Sequence, residues 1–166
     1  MTRRRAREAE RHALRAIEAQ GAGDLRAALH WYTEAGRRGH ALAQWSLGTL
    51  YQTGEAGRRD VGRACYWLRR AARQGCGPAE FALGWLYERG DGVPADPGEA
   101  RRWYERAASQ GHGLAQYTLG LMFETGDGGR RDLSQARTWY ARAADQRVDA
   151  AVDALERLAR QTATPR

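Results

Sequence analysis

The chain has 166 residues, with 27 Lys and Arg against 20 Asp and Glu, a formal net charge of +7. That size and polarity suit one soluble domain or several stacked repeats. No apolar run approaches the roughly 18 residues of a membrane span, and the basic start Thr2-Arg3-Arg4-Arg5 leads into Ala6-Arg7-Glu8 instead of an apolar signal core; a cytoplasmic protein with no membrane partner is expected.

Every one of the 27 basic residues is Arg; the chain has no Lys or Asn and a single Ile, a bias typical of a GC-rich genome. Codon usage thus accounts for the choice of Arg over Lys, though not for the net charge. The two cysteines, Cys65 and Cys76, lie eleven residues apart in one helix and its following turn, too far for a local disulfide. Both are expected as thiols.

In chain order, residues 1–23 read as a disordered start, 1–5, and an N-terminal capping helix over 6–20 whose only large apolar side chains are Leu14 and Ile17. A half unit, 24–40, follows, then full units over 41–76, 77–112 and 113–148, a C-terminal capping helix over 149–161 and a disordered tail, 162–166. These divisions rest on a period of 36 residues. Trp31, Trp67, Trp103 and Trp139 fall in register, as do Ala28, Ala64, Ala100 and Ala136 and the aspartates Asp24, Asp60, Asp96 and Asp132.

Each unit reads as two helices. Ala43, Leu47, Leu50 and Tyr51 recur at helical spacing on helix A, which stops at Gly54, Gly90 or Gly126; Ala64, Trp67, Leu68 and Ala71 do the same on helix B, which the aligned aspartate caps. In Asp96-Pro97-Gly98-Glu99 the glutamate is expected to reach back and complete a capping box, with Asp132 and Gln135 repeating the device. Gly48, Gly84 and Gly120, inside helix A, are expected to let the two backbones of a unit approach over Ala64 and Ala71, with Trp67 and Tyr51 filling the space between units. In the last helix Glu156 replaces that glycine, as suits an end cap.

The segments Ala115-Gln116-Tyr117-Thr118-Leu119-Gly120, Gly90-Asp91-Gly92-Val93-Pro94-Ala95-Asp96 and Ala100-Arg101-Arg102-Trp103-Tyr104-Glu105-Arg106-Ala107-Ala108 resemble the Sel-1-like repeat consensus. The resemblance implies an all-α fold, a right-handed α/α superhelical solenoid of helix-turn-helix repeats related to tetratricopeptide arrays. It implies an adaptor in signalling, secretion or envelope processes, with some bacterial members neutralising effectors. The loop is intact only in the middle unit; Gly54-Glu55-Ala56-Gly57 and Gly126-Asp127-Gly128-Gly129 depart from it and are expected to be more mobile.

The family groups its binding surface on helix A, the concave side. There Trp45, Thr49 and Gln52, then Phe81, Trp85 and Glu88, then Tyr117, Leu121 and Glu124 recur as a stripe for a partner protein or peptide. Packing between repeats competes for Trp45, Phe81 and Tyr117. Trp85 stands out as an anchor, because its register partners are Thr49 and Leu121.

The alternative is nucleic-acid or polyanion binding through Arg3, Arg4, Arg5 and the helix B face, which carries Arg69, Arg70, Arg73, Arg101, Arg102, Arg106, Arg137 and Arg142. Glu99 and Glu105 interrupt that face, and no aromatic platform interleaves with it, which favours a solvated surface. His40, Cys76 and His112 share a repeat position, but successive repeats stack about 10 Å apart while zinc ligands lie about 2 Å from their ion, so no metal and no cofactor is expected. The regular cysteine pairs of the family branch linked with β-lactams are absent, as are a Ser-His-Asp order, a phosphate loop and paired catalytic carboxylates; no enzyme is expected.

Overall fold

A computed structural model describes residues 3–163, with side chains through residue 161; Met1, Thr2 and residues 164–166, expected as disordered ends, lie outside it. Among the described residues there are nine helices and no strand: α1 Arg3–Gly21, α2 Leu25–Arg37, α3 Ala41–Thr53, α4 Val61–Ala72, α5 Gly77–Arg89, α6 Pro97–Ser109, α7 Gly113–Thr125, α8 Leu133–Asp145 and α9 Asp149–Ala163. They are helix pairs repeating at 36 residues. α1 begins at Arg3, so residues 3–5, read from sequence as disordered, are helical, as are residues 162 and 163 at the other end. The chain forms two compact units, residues 1–83 and 84–166, the division falling within the sequence of α5.

The helix B starts follow from one side chain. Asp24, Asp60, Asp96 and Asp132 accept the backbone N–H three residues on, filling an otherwise unsatisfied donor of the first turn. The expected capping box does not close. The N–H of Asp60, Asp96 and Asp132 donates instead to the carbonyl of Tyr51, Tyr87 and Phe123 at 2.8–2.9 Å, which locks helix B to the helix A before it. Glu99 is released to pair with Arg102 at 3.1 Å.

Gly54, Gly90 and Gly126 end the A helices in the left-handed conformation, at φ of 77°, 67° and 88°. In the two departing loops Arg59 and Arg131 donate Nε–H to the carbonyls of Gln52 and Glu124 at 2.9 and 2.8 Å, tying the loop back to the helix end it follows. The loops expected to be mobile are thus held by a guanidinium in place of the middle unit's Val93-Pro94-Ala95.

In residues 1–83 the core joins Ala13, Ala16, Ala28, Tyr32, Ala35, Ala43, Leu47, Leu50 and Trp67. Trp67 reaches back to α2, where a Cβ on Gly36 would lie 3.3 Å from its ring. In residues 84–166 the core includes Ala136, Tyr140, Ala143, Ala151, Ala154 and Leu158. The mid-helix glycines do permit close packing, and what each admits first is a side chain, with the Ala64 carbonyl also 3.4 Å from the Cβ position of Gly48. A Cβ on Gly48 would lie 2.5 Å from Leu68, on Gly84 2.6 Å from Tyr104 and on Gly120 2.5 Å from Tyr140. The residue after the repeated Trp is therefore what fills each pair.

Candidate protein-interaction groove

α1 sits on α2 through small residues: Ala9, Ala13 and Ala16 are buried, whereas Leu14 and Ile17 are 52% and 57% exposed. Facing outward, these two line a groove of about 460 Å³ between α1 and α3, with Tyr32 of α2 at its floor and Leu42, Trp45, Ser46 and Thr49 on its α3 side. Leu42 is 56% exposed. Such a group of exposed apolar side chains around a concavity marks an interaction surface more than a solvated one.

The polar groups of the groove are largely satisfied within the protein. Tyr32 Oη donates to Gln20 at 2.7 Å and Thr49 Oγ1 to the Trp45 carbonyl at 3.2 Å. His40 Nδ1 accepts the Ala43 N–H at 3.2 Å, so the ring proton is on Nε2, which donates to Glu10 at 3.0 Å.

His40 and His112 therefore act as N-caps of α3 and α7. Burial holds the His112 ring below its ordinary pKa, which keeps its Nδ1 lone pair available for the cap. Cys76, at the same repeat position, is a buried thiol whose pKa is pushed up by burial. No group of three or more His, Cys, Asp or Glu side chains converges among the described residues.

Of the nine stripe residues predicted from sequence, the structure brings Trp45 and Thr49 to the groove; Gln52 lies half-buried a turn further on. Phe81 and Trp85 are half-buried on α5, and the Arg89 guanidinium lies 4.8 Å from the centre of the Trp85 ring. Glu88 accepts the Tyr104 hydroxyl at 2.6 Å.

The third set is given over to packing. Tyr117 and Leu121 lie against the core, with the Tyr117 and Tyr140 rings 5.7 Å apart. Glu124 accepts from Tyr140 and from Arg157, both at 2.7 Å. Burial opposes ionisation of Glu124, but the Tyr140 hydroxyl and Arg157 outweigh it and hold the carboxyl below its usual range. Glu88 and Glu124, read as the acidic edge of the stripe, are thus partners of buried tyrosine hydroxyls.

Several of the helix B arginines are also engaged. Arg70, Arg106 and Arg142 stack on Trp67, Trp103 and Trp139 at 5.4, 4.7 and 4.5 Å, and Arg101 pairs with Glu105 and covers Phe123 at 3.8 Å. Aromatic rings do interleave with arginines here, contrary to the sequence reading. Each guanidinium, however, covers the face of a ring on its own helix or nearby, the face a stacked base would need. Near the start, Arg4 pairs with Glu8 and Arg38 with Glu34.

Paired helices in tandem, held by side chains that recur each period, define a helical-repeat protein. The Sel1 repeat model matches residues 17–40, 41–76, 77–112 and 113–148, and the chain belongs to the Sel1 repeat family. Proteins of that family are generally protein-interaction scaffolds.

Among solved structures, the chain is similar to a protective antigen of uropathogenic Escherichia coli with an SLR fold, at 35% identity and a TM-score of 0.80 over 84% of this chain and 31% of that one. It is also similar to a Sel1 repeat protein from Oxalobacter formigenes, at 32% identity and a TM-score of 0.79 over 87% of this chain and 60% of that one. The Helicobacter pylori cysteine rich protein B shares the fold, with a TM-score of 0.65 at 23% identity. The chain thus spans about a third of the first relative's length and three fifths of the second's. No curated protein matches it. No helix among the described residues is long and apolar enough to cross a membrane.

Proposed function

We propose that this chain is a non-catalytic adaptor that binds a peptide segment of a partner protein in the groove between α1 and α3. The observation that carries the reading is the grouping of Leu14, Ile17 and Leu42, each more than half exposed, around a cavity that also takes in Trp45 and Thr49. Large apolar side chains left in water beside a concavity release free energy when a partner covers them, about 25 cal/mol per Å² of apolar surface.

Selection of a random-peptide display library on the immobilised protein tests this. Enrichment is expected on the wild type and its loss on Trp45→Ala and Thr49→Arg, which empty or block the α3 side. Trp85→Ala is expected to behave as wild type, because Arg89 already covers that ring. Enrichment unchanged by both groove variants would refute the assignment. The polyanion reading predicts DNA retention at low salt that weakens when Arg3, Arg4 and Arg5 are neutralised; the pairing and stacking of the arginines weigh against it.

A further inference from the structure

The chemistry of the groove's occupant can be read from its lining, resting on the peptide-binding reading above. The floor is apolar, and Tyr32, Thr49 and His40 spend their donors inside the protein. Apart from Ser46, Gln20 and the carboxylates at its rim, it therefore offers an incoming peptide mainly apolar surface to cover. The charged side chains that line the groove are both carboxylates, Glu10 and Glu55. Glu10 is 64% exposed and meets His40 through one oxygen; Glu55 is exposed on the loop after α3. On a chain with an excess of seven positive charges, this rim runs against the sign of the whole.

We infer that the groove takes a segment with a large apolar anchor side chain flanked by Arg or Lys. The anchor would settle against Leu14, Ile17, Leu42 and Trp45, while the flanking cations meet Glu10 and Glu55. The long-range field of the protein favours acidic partners, so a preference for a basic one has to originate at the rim itself.

Short synthetic peptides sharing one Leu-Trp core and flanked by Arg, Ser or Glu, titrated by fluorescence anisotropy at low salt, test this. Arg-flanked peptides are expected to bind about tenfold more tightly than Glu-flanked ones, and the Glu10→Gln/Glu55→Gln double variant to narrow the gap to about twofold. Equal affinities, a preference for Glu, or a gap that survives the double variant would overturn the inference. If all three sets bind alike and Leu42→Asp abolishes them, the peptide groove stands and the charge preference falls. If none binds up to about 1 mM, both fall. Self-association in sedimentation that Ile17→Asp abolishes would seat a second copy in the groove and overturn the peptide assignment.

Discussion

Gly120→Ala puts a methyl group 2.5 Å from Cδ1 and 2.6 Å from Cε1 of Tyr140. The ring has nowhere to go: Tyr140 is fully buried, and its hydroxyl is held by Glu124. Overpacking of this kind costs about 1–3 kcal/mol, and displacing the charge-assisted hydrogen bond about 1.5–3 more. Against this, Ala gains about 1 kcal/mol of helix propensity over Gly. The net is a destabilisation of about 1.5–5 kcal/mol, or roughly 3–20 °C in Tm for a chain of this size. Thermal unfolding followed by circular dichroism reads it directly. Two controls isolate the cause. Gly21→Ala, which meets nothing within 4 Å, is expected to be neutral or stabilising. In a Tyr140→Ala background Gly120→Ala is expected to change sign and stabilise, because only the propensity gain remains. A stabilising Gly120→Ala in the wild type, or the same loss in both backgrounds, would refute the packing argument.

Three further outcomes are expected. Arg147 has a φ of 61° where Gly39, Gly75 and Gly111 stand at 94°, 76° and 86°, so Arg147→Gly should relieve about 1–2 kcal/mol of strain, lose part of it to chain entropy, and raise Tm by roughly 1–4 °C. Glu80, 1% exposed, holds the repeat position from which Gln44 and Gln116 donate to the carbonyls of Gly36 and Ala108 at 2.9 and 3.0 Å; Glu80→Gln places there the side chain its two register partners use and should leave stability within about 1 kcal/mol of the wild type in urea unfolding. Glu124 has its carboxyl pKa below the ordinary 4.5 in the folded chain, so its stabilisation is full above that value and is lost as pH falls through the folded pKa. Glu124→Gln should therefore cost about 1–3 kcal/mol near pH 7, and the difference should close as pH falls through the lowered carboxyl pKa of the folded chain.

The repeat period made the helix pairs, their aspartate caps and their terminal glycines legible, because each is a local device that must recur wherever the pair recurs. The groove was not legible in the same way. Tyr32 donates to Gln20, twelve residues back, whereas Tyr104 and Tyr140 reach Glu88 and Glu124, sixteen back. α1 is thus offset by one helical turn from the repeat, and a 36-residue comparison cannot align it. With that offset its alanines face the core, and Leu14 and Ile17 face the groove. Glu124 looked like a free acidic edge because its partner Arg157 lies in the last helix, outside the repeated set. His40 and His112 do carry a readable sign, a potential acceptor directly before a helix, although His is not among the side chains commonly found at that position.

Leu42 and Leu114 occupy the same repeat position two periods apart and are exposed to the same degree, 56% and 54%, yet only Leu42 lines the α1–α3 groove. Affinity for the Arg-flanked Leu-Trp peptide, measured side by side on Leu42→Asp and Leu114→Asp, separates the groove from the general surface. Binding should fall at least tenfold in Leu42→Asp and stay at the wild-type level in Leu114→Asp, a difference of about 1.4 kcal/mol or more; equal affinity in the two variants would contradict a binding site between α1 and α3.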